Sequence, residues 1–285
     1  MNDPANQDPP AASGAASGAA SRADLAAPDP SPGPALTEDG FLGHRLTIRQ
    51  PRLGYRAAID PLFLAAAVPA GGGERAMDVG AGVGVAALAL AYRVAGLSVT
   101  GIEIDQSLMG LATDNARRNA LDNRTDFMIG DVARPPARLM PGSFDHVIAN
   151  PPYLEASRAH VSPVAARAAA NVEGRAGVAG NQADLDAWLR FAFAMVREGG
   201  SVTVIHRADR LDEVINGFKG RGGGVTIFPL WPDRRATPAK RVLVQGRKGS
   251  GAPARMARGL VLHEDGGSYT KEADQVLRGG GGLVL

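Results

Sequence analysis

The chain has 285 residues, 45% hydrophobic and 21% charged, with a net charge of +2. Its length and composition predict one sizeable core, and no apolar run reaches the roughly 18 residues of a membrane span. Because Cys is absent, disulfides, thiolate metal sites and a cysteine nucleophile are excluded, as is typical of a cytoplasmic protein. The first residues lack a basic and apolar leader, so we expect no secretory signal.

The first 35 residues differ in composition from the rest of the chain. They consist largely of Ala, Gly, Ser, Pro and Asp, as in A-A-S-G-A-A-S-G-A-A. Such a segment cannot bury enough apolar surface to offset the entropy of ordering it. We therefore predict a disordered tail over residues 1–35 and a single domain over residues 36–285.

Two elements are predicted before the core. Alternating residues from Phe41 to Gln50 indicate a hairpin. Asp60 and Pro61 then predict the start of a helix, with Asp as the N-cap and Pro in the first helical position.

Strands and helices alternate along the core. Strands are predicted over residues 75–79, 98–104, 125–130, 145–149, 201–205, 225–230 and 241–245, and helices over 83–94, 106–121, 184–197 and 211–218. We expect Gly199-Gly200 to stop the third of these helices. The alternation predicts an α/β fold with a Rossmann-like, doubly wound and mostly parallel sheet of seven strands, whose carboxyl ends hold the ligands.

A glycine turn follows the first core strand, in the sequence D-V-G-A-G-V-G from Asp78 to Gly84. Gly80 and Gly82 permit a sharp turn and a close approach of the backbone to a ligand. A plain strand–helix turn is one alternative. A nicotinamide site is another, but its fingerprint requires a glycine where Val85 stands.

The sequence N-P-P-Y, Asn150 to Tyr153, follows the strand over residues 145–149. An ordinary proline turn is the alternative interpretation. Together with the glycine turn, however, this tetrapeptide resembles the amino-methyltransferases that use S-adenosylmethionine. The resemblance implies a class I methyltransferase fold, S-adenosylmethionine as the cofactor, a planar nitrogen as the methyl acceptor, and no metal.

The residue types of N-P-P-Y suit methyl transfer to such a nitrogen. An aromatic amine is a poor nucleophile because its lone pair is delocalised into the ring. The Asn150 side-chain oxygen and the Pro151 carbonyl can accept both N–H groups and draw the nitrogen toward tetrahedral geometry. The two prolines stiffen the turn, and Tyr153 offers a ring on which a base can stack.

Acidic residues follow three neighbouring strands. We expect Asp78 to face the cationic end of the cofactor or an ordered water, and Glu103 to accept the ribose hydroxyls. Nicotinamide enzymes also place an acid at the position of Glu103, so this residue does not discriminate between the two cofactors. The resemblance places Asp131 near the adenine amine, with a plain turn or helix cap as the alternative. Asp105 is instead expected to cap the next helix.

The flanking sequences resemble the bacterial tRNA(Val) adenine-N6 methyltransferase family over residues 36–280. The resemblance is carried by T-E-D-G-F-L-G, Q-P, G-Y-R and D-x-x-x-L-A-A-A-V before the glycine turn, and by P-A-K-R-V-L-V-Q-G-R-K-G, L-V-L-H and Y-T near the end. It implies methylation of adenine 37 in tRNA. Another planar nitrogen, in a release-factor glutamine or a ribosomal base, is one alternative, and a non-catalytic RNA-binding module is another. Release-factor methyltransferases carry a helical domain before the catalytic one, whereas this chain begins with a low-complexity segment.

The stretch from Arg234 to Arg258 contains eight basic residues and no acidic ones. We predict that it contacts RNA phosphates, although a solvated face is the common meaning of such a run. The predicted substrate contacts are Arg234, Arg235, Lys240, Arg241, Arg247 and Lys248. Residues 155–183 are expected to form a long loop. Two further interpretations stay open: Tyr55 and Arg56 either line the entrance to the site or brace the hairpin, and His206 is more simply structural than catalytic.

Overall fold

The computed structural model describes residues 35–54, 56–152, 154–155, 172–173, 184–235 and 237–285. All of them belong to one compact unit. The predicted tail lies outside the described residues except for Ala35. Tyr55, Tyr153 and nearly all of the predicted loop over residues 155–183 also lie outside them.

The described strands comprise a leading hairpin, a large sheet and a small separate pair. They are β1 (Leu36–Phe41), β2 (Leu46–Pro51), β3 (Arg75–Val79), β4 (Ser98–Glu103), β5 (Thr125–Ile129), β6 (Phe144–Ala149), β7 (Leu154–Glu155), β8 (Val172–Glu173), β9 (Val196–Arg207), β10 (Gly222–Trp231), β11 (Arg241–Lys248), β12 (Arg255–Met256) and β13 (Leu260–Val261). A hairpin is confirmed, since β1 and β2 pair antiparallel with Phe41 opposite Leu46, but it begins at Leu36 and not at Phe41 as predicted.

The large sheet has the strand order β12-β10-β11-β9-β6-β3-β4-β5, with β13 also paired to β10. The strands from β9 to β5 in this order are parallel. Strand β11 runs antiparallel to both β9 and β10. The predicted mostly parallel sheet of seven strands is confirmed, and the two-residue strands β12 and β13 extend it at one edge.

Helices cover both faces of the sheet. They are α1 (Asp60–Ala66), α2 (Val85–Arg93), α3 (Gln106–Arg118), α4 (Leu185–Met195), α5 (Leu211–Phe218) and α6 (Lys271–Leu277). One apolar cluster joins α1, α2 and α6 to one face, and a second joins α4 and α5 to the other. Adjacent residues of β3 divide between the clusters, Ala76 in the first and Met77 in the second, as the two-residue period of a strand requires. No described helix is long and apolar enough to cross a membrane.

The predicted stop of a helix at Gly199-Gly200 is wrong. Helix α4 ends at Met195, and both glycines lie inside β9. The register of β6 and β9 shifts here, because Phe144 pairs with Val196 whereas His146 pairs with Ser201. A Cβ on Gly200 would lie 2.6 Å from the Asp145 carbonyl oxygen, so glycine serves a close backbone approach in a bulge rather than a helix end.

The predicted N-cap of the first helix is also wrong. Ile59 is the N-cap of α1 and makes no side-chain cap, so Asp60 takes the first helical position and Pro61, predicted there, is the second residue of the first turn. The Asp60 carboxylate instead accepts a hydrogen bond from Arg241 Nε at 2.8 Å. This ion pair ties the start of α1 to the first residue of β11.

Candidate functional site

The predicted site residues converge on one edge of the sheet because neighbouring parallel strands end together. Val79 of β3 lies opposite Ala149 of β6, so Gly80 and Asn150 leave the sheet side by side. Glu103 ends β4, the neighbour of β3 on its other side. The glycine turn, the acid after β4 and the N-P-P turn are therefore adjacent at the carboxyl edge.

The glycine turn needs its glycines for conformation. Gly80, Gly82 and Gly84 have φ angles of +69°, +55° and +88°, a region that favours glycine over residues with a side chain. Gly84 is the N-cap residue of α2. The turn therefore brings the N-terminus of α2 to the carboxyl edge of the sheet.

Glu103 is held rigidly against this turn. Its Oε2 accepts from the Gly82 amide at 2.8 Å, and its Oε1 accepts from Ile104 and Asp105 at 2.8 and 3.0 Å. Burial raises the pKa of Glu103, and these three N–H groups oppose that rise. A carboxylate has about four acceptor sites, so capacity remains for a hydroxyl of a ligand.

Asp78 lies beneath the turn rather than at its surface. Only 2% of the residue is exposed, and its Oδ2 accepts from the Ala87 amide in the first turn of α2 at 3.1 Å. Burial raises the pKa of Asp78 to about 7, with nearby Glu103 adding to the rise. The contact with Ala87 shows that Asp78 braces the turn against α2.

Two further acids occupy turns. Asp105 caps α3 as expected, accepting from the Ser107 and Leu108 amides at 2.8 and 3.1 Å. Asp131 follows β5 at the same edge and accepts from the Ala133 amide at 2.9 Å. Asp131 therefore makes the contact of a turn cap at the position predicted to face an adenine.

The N-P-P turn is anchored from below. Asn150 is half-buried and Pro151 is buried. His206, at the adjacent end of β9, is fully buried next to this turn, and the backbone of Pro152 acts to raise the pKa of its imidazole. Burial lowers the pKa of His206 to about 4, and the positive charge of Arg210 contributes. A neutral imidazole therefore supports the turn, in agreement with a structural role.

In the part of the chain that the structure describes, four of the eight basic residues in the predicted stretch pair with carboxylates outside it. Arg234 Nε lies 2.9 Å from an oxygen of Glu264, and Arg235 pairs with Asp233 at 3.1 Å. Arg241 pairs with Asp60, as described above. Lys240 is exposed, and among the described residues no carboxylate pairs with it.

The basic stretch is also divided between the two ends of the strands: the carboxyl edge, where the parallel strands end, and the opposite edge, where they begin. Because β11 is antiparallel to β9, Arg241 lies opposite Arg207 at the carboxyl edge, whereas Arg247 lies opposite Ser201. The six residue steps from Arg241 to Arg247 span about 20 Å along the strand. Arg247 donates to the Gly199 carbonyl at 3.0 Å, and Lys248 lies 3.8 Å from a Glu198 oxygen. These two cations are therefore remote from the N-P-P turn.

The open question about Arg56 receives a partial answer. Its Nη2 donates to Asp39 at 2.9 Å, and its Nη1 donates to Thr37 at 2.7 Å and to the Pro51 carbonyl at 3.1 Å. These bonds join both strands of the hairpin, so Arg56 braces it. Tyr55 lies outside the described residues.

Sequence reasoning missed two residues that shape the site. Asn115 of α3 is fully buried, and its amide group donates to the carbonyls of Arg49 and Val83 at 2.9 and 3.0 Å. It thereby fastens the hairpin to the glycine turn. Trp188 of α4 packs against Gly80. A buried Asn on an apolar helix face was a visible signal, whereas Trp188 looked like an ordinary core residue.

Comparisons with known proteins agree with this geometry. A family model described as methyltransferase small domain matches residues 59–173. A tRNA1(Val) (adenine(37)-N6)-methyltransferase from Enterobacter sp. (strain 638) is 29% identical over 126 residues, 44% of this chain and 51% of the relative. The chain thus spans about half the length of that curated relative.

Solved structures show the same architecture. A structure described as a predicted O-methyltransferase from Agrobacterium tumefaciens has a TM-score of 0.64 and 26% identity, covering 79% of this chain and 98% of its own. A SAM-dependent O-methyltransferase from Thermotoga maritima has a TM-score of 0.50 and 14% identity, with coverages of 70% and 69%. The chain has the class I methyltransferase fold. The resemblance to the tRNA(Val) adenine-N6 methyltransferases is confirmed over the 126 residues that match, and its extent over residues 36–280 stays a prediction.

Proposed function

We propose that this protein transfers a methyl group from S-adenosylmethionine to the N6 amine of an adenine in tRNA, at position 37 of tRNA(Val). The observation that carries the proposal is the N-P-P turn beside the glycine turn, one strand apart at the carboxyl edge. The curated relative named above carries that activity in its name. A tRNA substrate implies a cytoplasmic protein.

The residues of the glycine turn fit the cofactor. Glu103 has remaining acceptor capacity for a ribose hydroxyl, and Gly80, half-buried beside Trp188, keeps the backbone of the turn bare at the carboxyl edge. Asp131 stands where an adenine amine would be recognised, and Asp78 keeps the turn in shape from below. When bound, the cofactor supplies an activated methyl group on a positively charged sulfur.

The chain's own contribution is to bind and orient the amine. We propose that the Asn150 side-chain oxygen and the Pro151 carbonyl accept its two N–H groups, as derived from the sequence. His206 and the buried Pro151 hold the turn rigid, so these acceptors require little reorganisation during the reaction. We propose that Tyr153, which lies outside the described residues, stacks on the base.

For RNA capture we propose the cations at the carboxyl edge. Lys240 is the exposed cation there without a carboxylate partner among the described residues. Arg235 is exposed but pairs with Asp233, and Arg241 pairs with Asp60. Arg247 and Lys248 lie at the opposite edge, so a contact between them and RNA would require a substrate that wraps around the sheet. The prediction for these two residues remains untested.

The decisive experiment uses the purified full chain, labelled S-adenosylmethionine and tRNA, followed by nucleoside mass spectrometry. We expect label in N6-methyladenosine, and labelling at least about 10²-fold slower with the Asn150→Ala variant. Label in a guanine or a ribose hydroxyl, or in a release-factor glutamine when that protein is supplied, would refute the adenine assignment. Binding of tRNA with no transfer to any acceptor would favour the non-catalytic module.

A further inference from the structure

Trp188 lies directly on the glycine turn. A Cβ built on Gly80 would lie 2.3 Å from Trp188 Cη2 and 2.8 Å from Cζ3. The six-membered ring of the indole therefore packs against the bare backbone of Gly80. The residue is only half-buried, so part of its surface stays accessible at the carboxyl edge.

The helix that carries Trp188 is fixed in place. Asp184 caps α4 by accepting from the Ala187 amide at 2.8 Å. Leu189 is fully buried, and Asp186 pairs with Arg221 of the following segment at 2.7 Å. The indole is thus held at the glycine turn by its own helix, which lowers the cost of ordering it around a ligand.

We propose that Trp188 is a wall of the cofactor site and that its indole recognises the positively charged sulfur of S-adenosylmethionine. This inference rests on the proposed function. For Asn150 to present an amine to the methyl group of a cofactor held at the glycine turn, the charged sulfur would have to lie between that turn and Asn150. Trp188 contacts Gly80, the residue that leaves the sheet beside Asn150, so it borders that position. Indole is the aromatic side chain best suited to attract a cation, in a contact worth about 0.5–2 kcal/mol.

If Trp188 recognises the charge on the sulfur, its removal should have an effect that removal of a merely structural tryptophan would not have. S-adenosylhomocysteine, the reaction product, has a neutral sulfur in place of the cation. Replacing the indole should therefore weaken binding of the substrate cofactor more than binding of the product. In calorimetry on the full chain, we expect Trp188→Leu to lower S-adenosylmethionine affinity about 2- to 30-fold relative to any change for S-adenosylhomocysteine.

The chain offers a matched control in its other tryptophan. Trp231 ends β10, and three strands separate it from β3. Trp231→Leu should leave both affinities unchanged. Trp188→Phe retains an aromatic face, so it should preserve most of the preference for S-adenosylmethionine over S-adenosylhomocysteine. It is the variant to measure if Trp188→Leu does not fold.

Fluorescence gives a second readout with the ring still present. In Trp231→Phe, the emission of Trp188 should change on titration with either ligand, whereas in Trp188→Phe the emission of Trp231 should not. The inference would be overturned if Trp188→Leu weakened binding of the two ligands equally, or if the emission of Trp188 did not change with either ligand. Binding of S-adenosylmethionine by the wild-type chain would still support the proposed function. A wild-type chain that binds neither ligand would overturn both.

Discussion

Gly80 is the position where a single methyl group should have the largest effect on the site. Gly80→Ala places a Cβ at a φ of +69° and 2.3 Å from Trp188 Cη2. The substitution therefore adds backbone strain and a collision. Gly73→Ala is a matched control, because Gly73 has a φ of +83° but no atom within 4 Å of the added Cβ.

The cost of backbone strain and the cost of the collision with Trp188 can be separated by their sizes. The left-handed region costs a residue with a side chain about 1–2 kcal/mol, so Gly73→Ala should lower the free energy of unfolding by that amount. Overpacking typically costs a further 1–3 kcal/mol, so Gly80→Ala should lose about 2–5 kcal/mol in total. If the collision is with Trp188, this additional loss should vanish once the indole is removed.

Urea denaturation followed by far-UV circular dichroism tests this with six chains: wild type, Gly80→Ala, Gly73→Ala, Trp188→Ala, and Trp188→Ala combined with each of the two glycine substitutions. We expect a coupling of about 1–3 kcal/mol between the two positions, and none between Trp188→Ala and Gly73→Ala. If Gly80→Ala and Gly73→Ala lower the free energy of unfolding equally, both with Trp188 present and with Trp188→Ala, the contact between the indole and the glycine turn is not as described.

Three further predictions concern charge and catalysis. Because the folded pKa of Asp78 is about 7, above the unfolded value of 3.8, its contribution to stability is lost as the pH rises from about 4 through 7. Asp78→Asn should therefore flatten the fall in unfolding free energy over that range, by up to about 1.4 kcal/mol per pH unit, in urea titrations at several pH values. Asn150→Ala should lower the single-turnover rate of methyl transfer about 10²-fold or more, while cofactor affinity in calorimetry stays unchanged. A loss of cofactor affinity as large as the loss of rate would contradict the acceptor role. Lys240→Gln should weaken tRNA binding and reduce its log–log salt slope by about one, whereas Arg247→Gln at the opposite edge should do neither.

The sheet and its helices were largely predictable because their signals are local. Strand β3 and helix α5 have the predicted bounds, Arg75–Val79 and Leu211–Phe218. The errors fall where tertiary contacts override local chemistry. Gly199-Gly200 reads as a helix stop, yet the close carbonyl of Asp145 makes it a bulge. In the sequence Asp60 looks like the N-cap of a helix, yet its carboxylate accepts a hydrogen bond from Arg241, which is remote in the sequence.

The site was predictable in its location but not in its details. Parallel strands end together, so motifs after β3, β4 and β6 had to converge on one edge. What Asp78 contacts depends on the depth at which β3 ends beneath α2, and a linear pattern does not give that depth. The contact of Trp188 with Gly80 depends on how α4 packs across the sheet, which helical periodicity alone leaves open.

The basic stretch shows why charge counted along a sequence is a weak guide to a binding surface. Its single sign over 25 positions implied a continuous phosphate-binding face. In the fold, β11 carries Arg241 and Arg247 to opposite edges, about 20 Å apart, while Asp60 and Glu264 arrive from distant segments to pair with Arg241 and Arg234. A cation already held by a carboxylate gains less from a phosphate, because the existing pair must first be broken. The exposed Lys240 is therefore the better candidate for RNA contact, and the paired arginines are better explained as braces that hold α1 and the segment after β13 against the carboxyl edge.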